Sequence, residues 1–550
     1  MTLVKFKNLL PAIVALTIMV PVLSILTIGF KFDQAAWSEL LGFQRLRSFA
    51  QTVILSAGVG LLVAILGTGL AWLVTAYQFR SRQILKFALL LPMAIPTYIM
   101  AYSYLDLLHP LGPIQTLIRS TLDISSPKDL KLPDIRNIFA AILLLGFVLF
   151  PYVYISSKAM FLTIPANLIE SARILGASSK SVFWRLALPH ARPGIAAGVG
   201  IALLEVVNDV GASEFLGVRT ATVELYVTWI SKGDLTSAAR IALMLVLMML
   251  IVSSIEKLSR HRIKYSQPKN SHPMQPKPLR GLKGSVIVAL GWVPVLLGFV
   301  LPAGYLLHQV IQRASHQPIF SRELLAAAAS SFKISMIVTL IVIIIATVVV
   351  WLMTRFKQRT DRNHPNNLIL NSTKIGYFLP GTVLAIGLLS PYSFLDSFFK
   401  QIAHFFEIRN ANLVMLGTSA GIVTACTIRF LGMAVSNIEA GYGRISIRLD
   451  QAARTLGRSA TSILALIHIP MLRPALLSAA LLVFVETMKE LPTTLLLRPI
   501  GTETLATLLY ADASRGSYED GATAALLIVL IGILPLIYLT RLQQVRQLKS

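Results

Sequence analysis

Glu170-Ser171-Ala172-Arg173-Ile174-Leu175-Gly176 returns 281 positions later as Gln451-Ala452-Ala453-Arg454-Thr455-Leu456-Gly457. The same offset carries Ser178 onto Ser459, Pro189 onto Pro470, Arg192-Pro193 onto Arg473-Pro474, and Glu205 onto Glu486. Apolar chains share Leu and Ala by chance, but not Arg, Gly and Pro in fixed register. Upstream, Ser56, Trp72 and Thr75 recur as Ser335, Trp351 and Thr354 at an offset of 279. Leu-Pro runs also recur, around Pro92 and Pro96 and around Pro380. The chain is a duplication.

The stretches between these landmarks belong in lipid. Of 550 residues, 55% are apolar and 14% charged, with a mean hydropathy of +0.70; soluble domains carry about 25% charged residues. That excludes a soluble enzyme, a disordered binder and, with Cys426 as the single cysteine, a disulfide scaffold. Runs of about 20 apolar residues predict twelve membrane helices. They lie near 9–30, 52–77, 86–106, 137–158, 194–212 and 238–257, then 285–308, 334–354, 375–395, 412–432, 475–492 and 521–540. The first is expected to be a retained span rather than a cleaved signal, for no small-residue cleavage site and soluble domain follow it. Six spans return the chain to its starting side. The expected fold is therefore an all-α integral membrane protein of two parallel six-helix repeats, related by a pseudo-twofold axis along the membrane normal.

Net charge is +25. With the N-terminus inside, inner segments hold about 32 of the 50 Lys and Arg, among them 158–193, 257–283, 355–374, 429–473 and the tail. Inner loops then sum to about +27 and outer ones to about −2. Short loops rich in Lys and Arg stay on the cytoplasmic side, so both termini are expected there. Topology explains the charge without nucleic acid. The polar stretch 257–284 carries eight Lys or Arg and four Pro; like charges repel and Pro blocks helix. It reads as a basic cytoplasmic linker, with a lipid-headgroup contact as the alternative, between a first half (1–256) and a second (285–550).

Each repeated stretch falls on the inner side, between the fourth and fifth spans of its half. Leu168, Ile169, Ala172 and Leu175 recur at helical spacing. Gly176 is expected to break that helix, Ser178 to cap a second, and Leu188-Pro189 to end it; Gly457, Ser459 and Ile469-Pro470 repeat the arrangement. An ordered, partly apolar hairpin in water is costly unless a partner covers it; lying on the bilayer surface is the alternative.

At these residues the sequence resembles the membrane subunits of bacterial binding-protein-dependent ABC importers, whose pattern is E-A-A-x3-G-x9-I-x-L-P. Glu170, Ala172, Gly176, Leu188 and Pro189 follow it in the first copy, and Ala452, Ala453, Gly457, Ile467, Ile469 and Pro470 in the second. Ser171, Leu186 and Gln451 depart from it. The resemblance implies a type I importer permease fold. It also implies that both hairpins seat in two copies of a cytoplasmic ABC ATPase, with Glu170, Ala172, Gly176, Pro189, Gln451, Ala453, Gly457 and Pro470 as coupling residues. Where Gln451 replaces Glu, the second seat lacks a charge. The run from Asn208-Asp209 to Gly217 and the run from Glu486 through Lys489-Glu490 to Arg498-Pro499 look like the fused iron(III) permeases. Fused thiamine permeases share that architecture. ATP and Mg would then sit on the partner ATPase, and a periplasmic iron-binding protein would deliver the cargo.

Ionisable residues inside spans suggest a pathway. Glu205 and Glu486 are repeat mates, and Asp209 and Glu490, four residues on, are expected on the same helical face. Four carboxylates near the axis would offer hard oxygens to a trivalent cation. Alternatively Glu486 pairs with Lys489 or Arg498, and Glu205 with a polar neighbour. The sequence leaves both readings open. Its nine His show no ligand spacing for a tight metal site. No G-x4-G-K-[ST] or other catalytic motif appears, so energy must come from another subunit or an ion gradient. A major-facilitator carrier would need a Gly/Asp/Arg motif in the loop 78–86, which lacks it.

Overall fold

In the computed structural model, the structure describes residues 2–30, 42–124, 126, 129–130, 133–260, 274–279, 281–354, 370, 372–406 and 413–547. Among them, eleven helices are long and apolar enough to cross a membrane, twelve if one bent pair counts as a single span. The fold is the expected all-α one of paired six-helix repeats. Along its spans, residues such as Leu61, Ile65, Leu290 and Leu340 stay exposed, as a lipid-facing surface requires.

The bent pair corrects one expected span. Instead of a continuous helix over 86–106, Arg82–Ala94 and Thr97–Leu107 meet at 91°. Ile95, which precedes Pro96, is extended (φ −94°, ψ 115°), because a proline ring disfavours helical geometry in the residue before it. Pro96 then opens the next helix without a backbone donor to lose. Pro380 does the same in the second half, ahead of Gly381–Phe405.

Packing crosses the repeat boundary. The opening helix, Leu9–Gly29, lies against Leu235–Ser254 of its own half and Gly381–Phe405 of the other. Ile18 is buried among Val338, Val349 and Tyr392, and Ile25 among Leu204, Ala238 and Val383. Correspondingly, Gly281–Ala314 packs against the last helix and the Thr97–Leu107 helix. There Tyr305 Oη donates to Asp106 Oδ2 at 2.5 Å and Gln309 Nε2 donates to the same oxygen at 3.0 Å. Each half thus holds the first helix of the other, and the two share buried apolar surface.

Half of the expected linker, 261–273 and 280, lies outside the described residues. Its far end forms a two-residue parallel bridge, Tyr77–Gln78 with Lys277–Pro278.

Candidate functional site

Each hairpin is built on a backbone lock. The helix Ala166–Ile174 ends at Leu175, and Gly176 follows at φ +84°. Gly176 N–H donates to the Arg173 carbonyl at 2.9 Å, and Ala177 N–H reaches back to the Ala172 carbonyl at 3.0 Å. This is the Schellman closure, which needs a left-handed residue after the helix and so favours Gly. The copy is the same: Gly457 at φ +76°, bonded to Arg454, and Arg458 bonded to Ala453, both at 3.0 Å. Ser178 and Ser459 then cap the next helices, accepting from Ser181 and Ser462 N–H at 3.2 Å. Glu170 and Gln451 are exposed, as are Ile174, Leu175 and Leu456, each at least 80% accessible at the turn. Ala453 is buried and Ala172 half-buried.

Pro189 and Pro470 do not end these helices. A π-turn at Phe183–Ala187, and its copy at Leu464–His468, precedes each proline. Leu188 N–H bonds to the Phe183 carbonyl, and Ile469 N–H to that of Leu464. The wider turn takes up the proline ring and its missing donor. Helices therefore run unbroken over Ser179–Asn208 and Ala460–Met488, 30 and 29 residues, or about 45 Å at 1.5 Å per residue. Each is a rod with a hairpin at one end and Glu205 or Glu486 near the other.

Sequence reasoning missed how the hairpins attach. In the second copy, His468 is buried with Nδ1 2.5 Å from the Tyr442 hydroxyl and Nε2 2.6 Å from Asp450 Oδ1. The first-half positions at the same offset are Phe161, Ile169 and Ala187, all fully buried and apolar. One hairpin is pinned by hydrogen bonds, the other by packing.

The far ends of the rods meet at a cavity of about 80 Å³ between the halves, room for a few waters. Glu205, Asp209, Glu486, Glu490, Arg429 and Lys489 line it together with Tyr98 and Tyr152. All four sequence-nominated carboxylates are thus brought together, but not on continuous helical faces. The fifth-span helices stop at Asn208 and Met488, so Asp209 and Glu490 lie beyond them and accept N–H bonds from the first turns of the short helices that follow. Asp209 accepts from the Thr97 hydroxyl (2.6 Å), the Ser213 N–H (2.7 Å) and the Ser213 hydroxyl (2.9 Å). Glu490 accepts from the Thr493 N–H (3.0 Å) and from Arg429 Nη1 (2.7 Å).

Arg429 is a second correction. Counted above among the inner basic residues, it is buried within the helix Ser419–Tyr442. Its position inside the predicted span 412–432 was the available signal, since a charge within a span needs a buried partner. Gly381 packs directly on this pair; a Cβ there would stand 2.8 Å from Glu490 Oε1 and 2.6 Å from Thr493 Oγ1. Glu486 pairs with Lys489 at 2.8 Å, one of the partners considered, while Arg498 pairs with Glu503 instead. Glu205 lies within electrostatic reach of the Tyr377 hydroxyl of the other half. Two bonds join the halves beside the cavity: Gly381 N–H to Asn208 Oδ1 at 2.7 Å, and Tyr98 Oη to the Lys489 carbonyl at 3.3 Å. Glu205 and Glu486 remain as the carboxylates not used to start a helix. Among the described residues no three His, Cys, Asp or Glu side chains are placed to hold a metal ion.

Residues 63–265 match the family described as binding-protein-dependent transport system inner membrane component. The chain is 23% identical over 542 residues to the Fe(3+)-transport system permease protein FbpB 2 of Haemophilus influenzae, covering 97% of both chains. It is 22% identical over 457 residues to the putative ferric transport system permease protein FbpB 1 of the same organism, covering 80% of this chain and 68% of that one. A probable molybdenum ABC transporter permease protein of Haloferax volcanii is 28% identical over 200 residues, 36% of this chain and 69% of its own.

Proposed function

We propose that the chain is the permease of an ATP-driven importer for ferric iron, of the kind described as binding-protein-dependent inner-membrane transport components, which its residues 63–265 match. Two cytoplasmic ABC ATPase subunits seat on the hairpins at Gly176 and Gly457, with Glu170 and the exposed Ile174, Leu175 and Leu456 in contact. A periplasmic iron-binding protein delivers the cargo at the opposite face. Both termini are cytoplasmic, and 257–284 tethers the halves 1–256 and 285–550. ATP and Mg belong to the partner subunits.

One observation carries the transport mechanism: paired hairpin locks sit on unbroken rods whose far ends, at Glu205 and Glu486, face each other between the halves. When ATP draws the two ATPase subunits together, the hairpins move with them. The rods carry that motion to the cavity, because the π-turns keep each helix continuous through its proline. Rocking then separates the Asn208–Gly381 and Tyr98–Lys489 contacts and admits the ion. Hydrolysis restores the closed state.

The cargo rests on the likeness, along nearly the whole of both chains, to the Haemophilus influenzae ferric permease, and on the carboxyl oxygens around the cavity. Uptake of radiolabelled ferric iron in a deletion strain, with thiamine and molybdate as controls, tests it. Loss of iron uptake restored by this chain is expected; iron uptake indifferent to the deletion would end the ferric reading.

A further inference from the structure

The halves also meet at a second pair of matching positions. Thr220 caps the helix Ala221–Lys232, and Thr504 caps Leu505–Ser514. Both starts are fastened to the second span of their half: Ala221 N–H donates to Thr52 Oγ1, and Leu505 N–H to Ser331 Oγ, each at 2.8 Å. Tyr226 and Tyr510 stand at the same distance beyond the two caps. They are mates, and their rings meet edge-on with centroids 6.4 Å apart.

Their hydroxyl ends lie close enough to act on each other. Tyr510 Oη also donates to Glu214 Oε2 at 2.5 Å, and Phe215 stacks on the Tyr510 ring at 5.5 Å. Glu214 in turn lines a cavity of about 300 Å³ with Tyr102, Arg136 and Tyr518. Two phenylalanines would fill the ring contact equally well. Instead two phenol oxygens and a carboxylate converge beside that cavity, on scaffolds fixed by matching hydrogen bonds.

Resting on the ferric reading above, we propose that Tyr226, Tyr510 and Glu214 form a transient oxygen-donor site for a trivalent cation at the outer mouth. Hard oxygen ligands suit a hard cation. On binding, each phenol O–H bond is replaced by an oxygen–metal bond, and two protons leave to the outer water. Tyr226 and Glu214 come from the first half and Tyr510 from the second. The donor set is therefore complete only while the outer ends are together, and separating the halves splits it. The ion next meets Glu205 and Glu486 deeper along the same axis.

The test titrates ferric nitrilotriacetate into the full chain in lipid nanodiscs and follows the visible tyrosinate-to-iron charge-transfer absorption. The wild type is expected to develop the band, and the Tyr226→Phe/Tyr510→Phe double variant to lack it. Glu214→Gln should weaken binding about tenfold or more. Thermal unfolding checks that the variants remain folded, since Phe keeps the ring contact. A wild-type chain that imports ferric iron yet shows no band overturns the site and leaves the cargo reading standing, as does a double variant that keeps the band. A chain that imports no iron overturns both.

Discussion

Arg429 Nη1 lies 2.7 Å from Glu490 Oε1, with both side chains at least nine-tenths buried, and the pair joins the fourth helix of the second half to the break after the fifth. Removing one member of a buried pair leaves a stranded charge, at a cost of about 3–5 kcal/mol, whereas replacing both is often close to neutral. Arg429→Met should therefore lower the thermal midpoint of the purified chain sharply, and Arg429→Met/Glu490→Gln should recover most of the loss. A double variant as unstable as the single one would show that the pair is not the relevant interaction.

His468 bridges Tyr442 and Asp450, where the first half has Ala187 between Phe161 and Ile169. His468→Ala removes the hydrogen bonds it makes to Tyr442 and Asp450, each worth about 1 kcal/mol. Transplanting the apolar set, as Tyr442→Phe/Asp450→Ile/His468→Ala, should restore much of that stability in a thermal-shift measurement. Failure of the triple variant to improve on the single one would show that the two hairpin attachments are not interchangeable.

Gly176 and Gly457 hold φ values of +84° and +76°. A side chain in left-handed geometry costs about 1–2 kcal/mol, and it would loosen the turn rather than the spans. Gly176→Ala and Gly457→Ala should leave the chain inserted at normal abundance while lowering uptake. Cysteines placed at Ala177 and Arg458 should crosslink less efficiently to the ATPase in these backgrounds; undiminished crosslinking with full uptake would contradict the coupling role.

The carboxylates at the cavity separate by what they bond. Asp209 accepts hydrogen bonds from Thr97 and Ser213, so Asp209→Ala should cost stability, about 1 kcal/mol as when other side chains bonded to a helix start are removed. Glu205 starts no helix, so Glu205→Gln should slow uptake with the thermal midpoint preserved. The reverse pattern, measured on the same preparations, would exchange the two assignments.

Local features were readable because they act through short stretches of chain. Gly176 and Gly457 end a helix through their own backbone preference. Twelve apolar runs select lipid by composition, and the 281-residue register is visible without any contact. Pro189 misled because a proline looks the same whether it stops a helix or follows a π-turn; the outcome depends on the five residues before it. Asp209 and Glu490 misled for a related reason, since helical spacing says nothing of where the helix stops.

The sequence by itself determined the repeat, the number of spans, the side expected for each loop and the two glycine locks, all consequences of solvation and backbone preference within a few turns. Only the tertiary structure decided that Arg429 answers Glu490 across 61 residues, that each opening helix packs into the opposite half, and that Tyr226 meets Tyr510. Those pairings arise when rigid helices share one buried volume. A charge or hydroxyl enclosed there must find whichever partner the packing brings near, and no local pattern names it in advance.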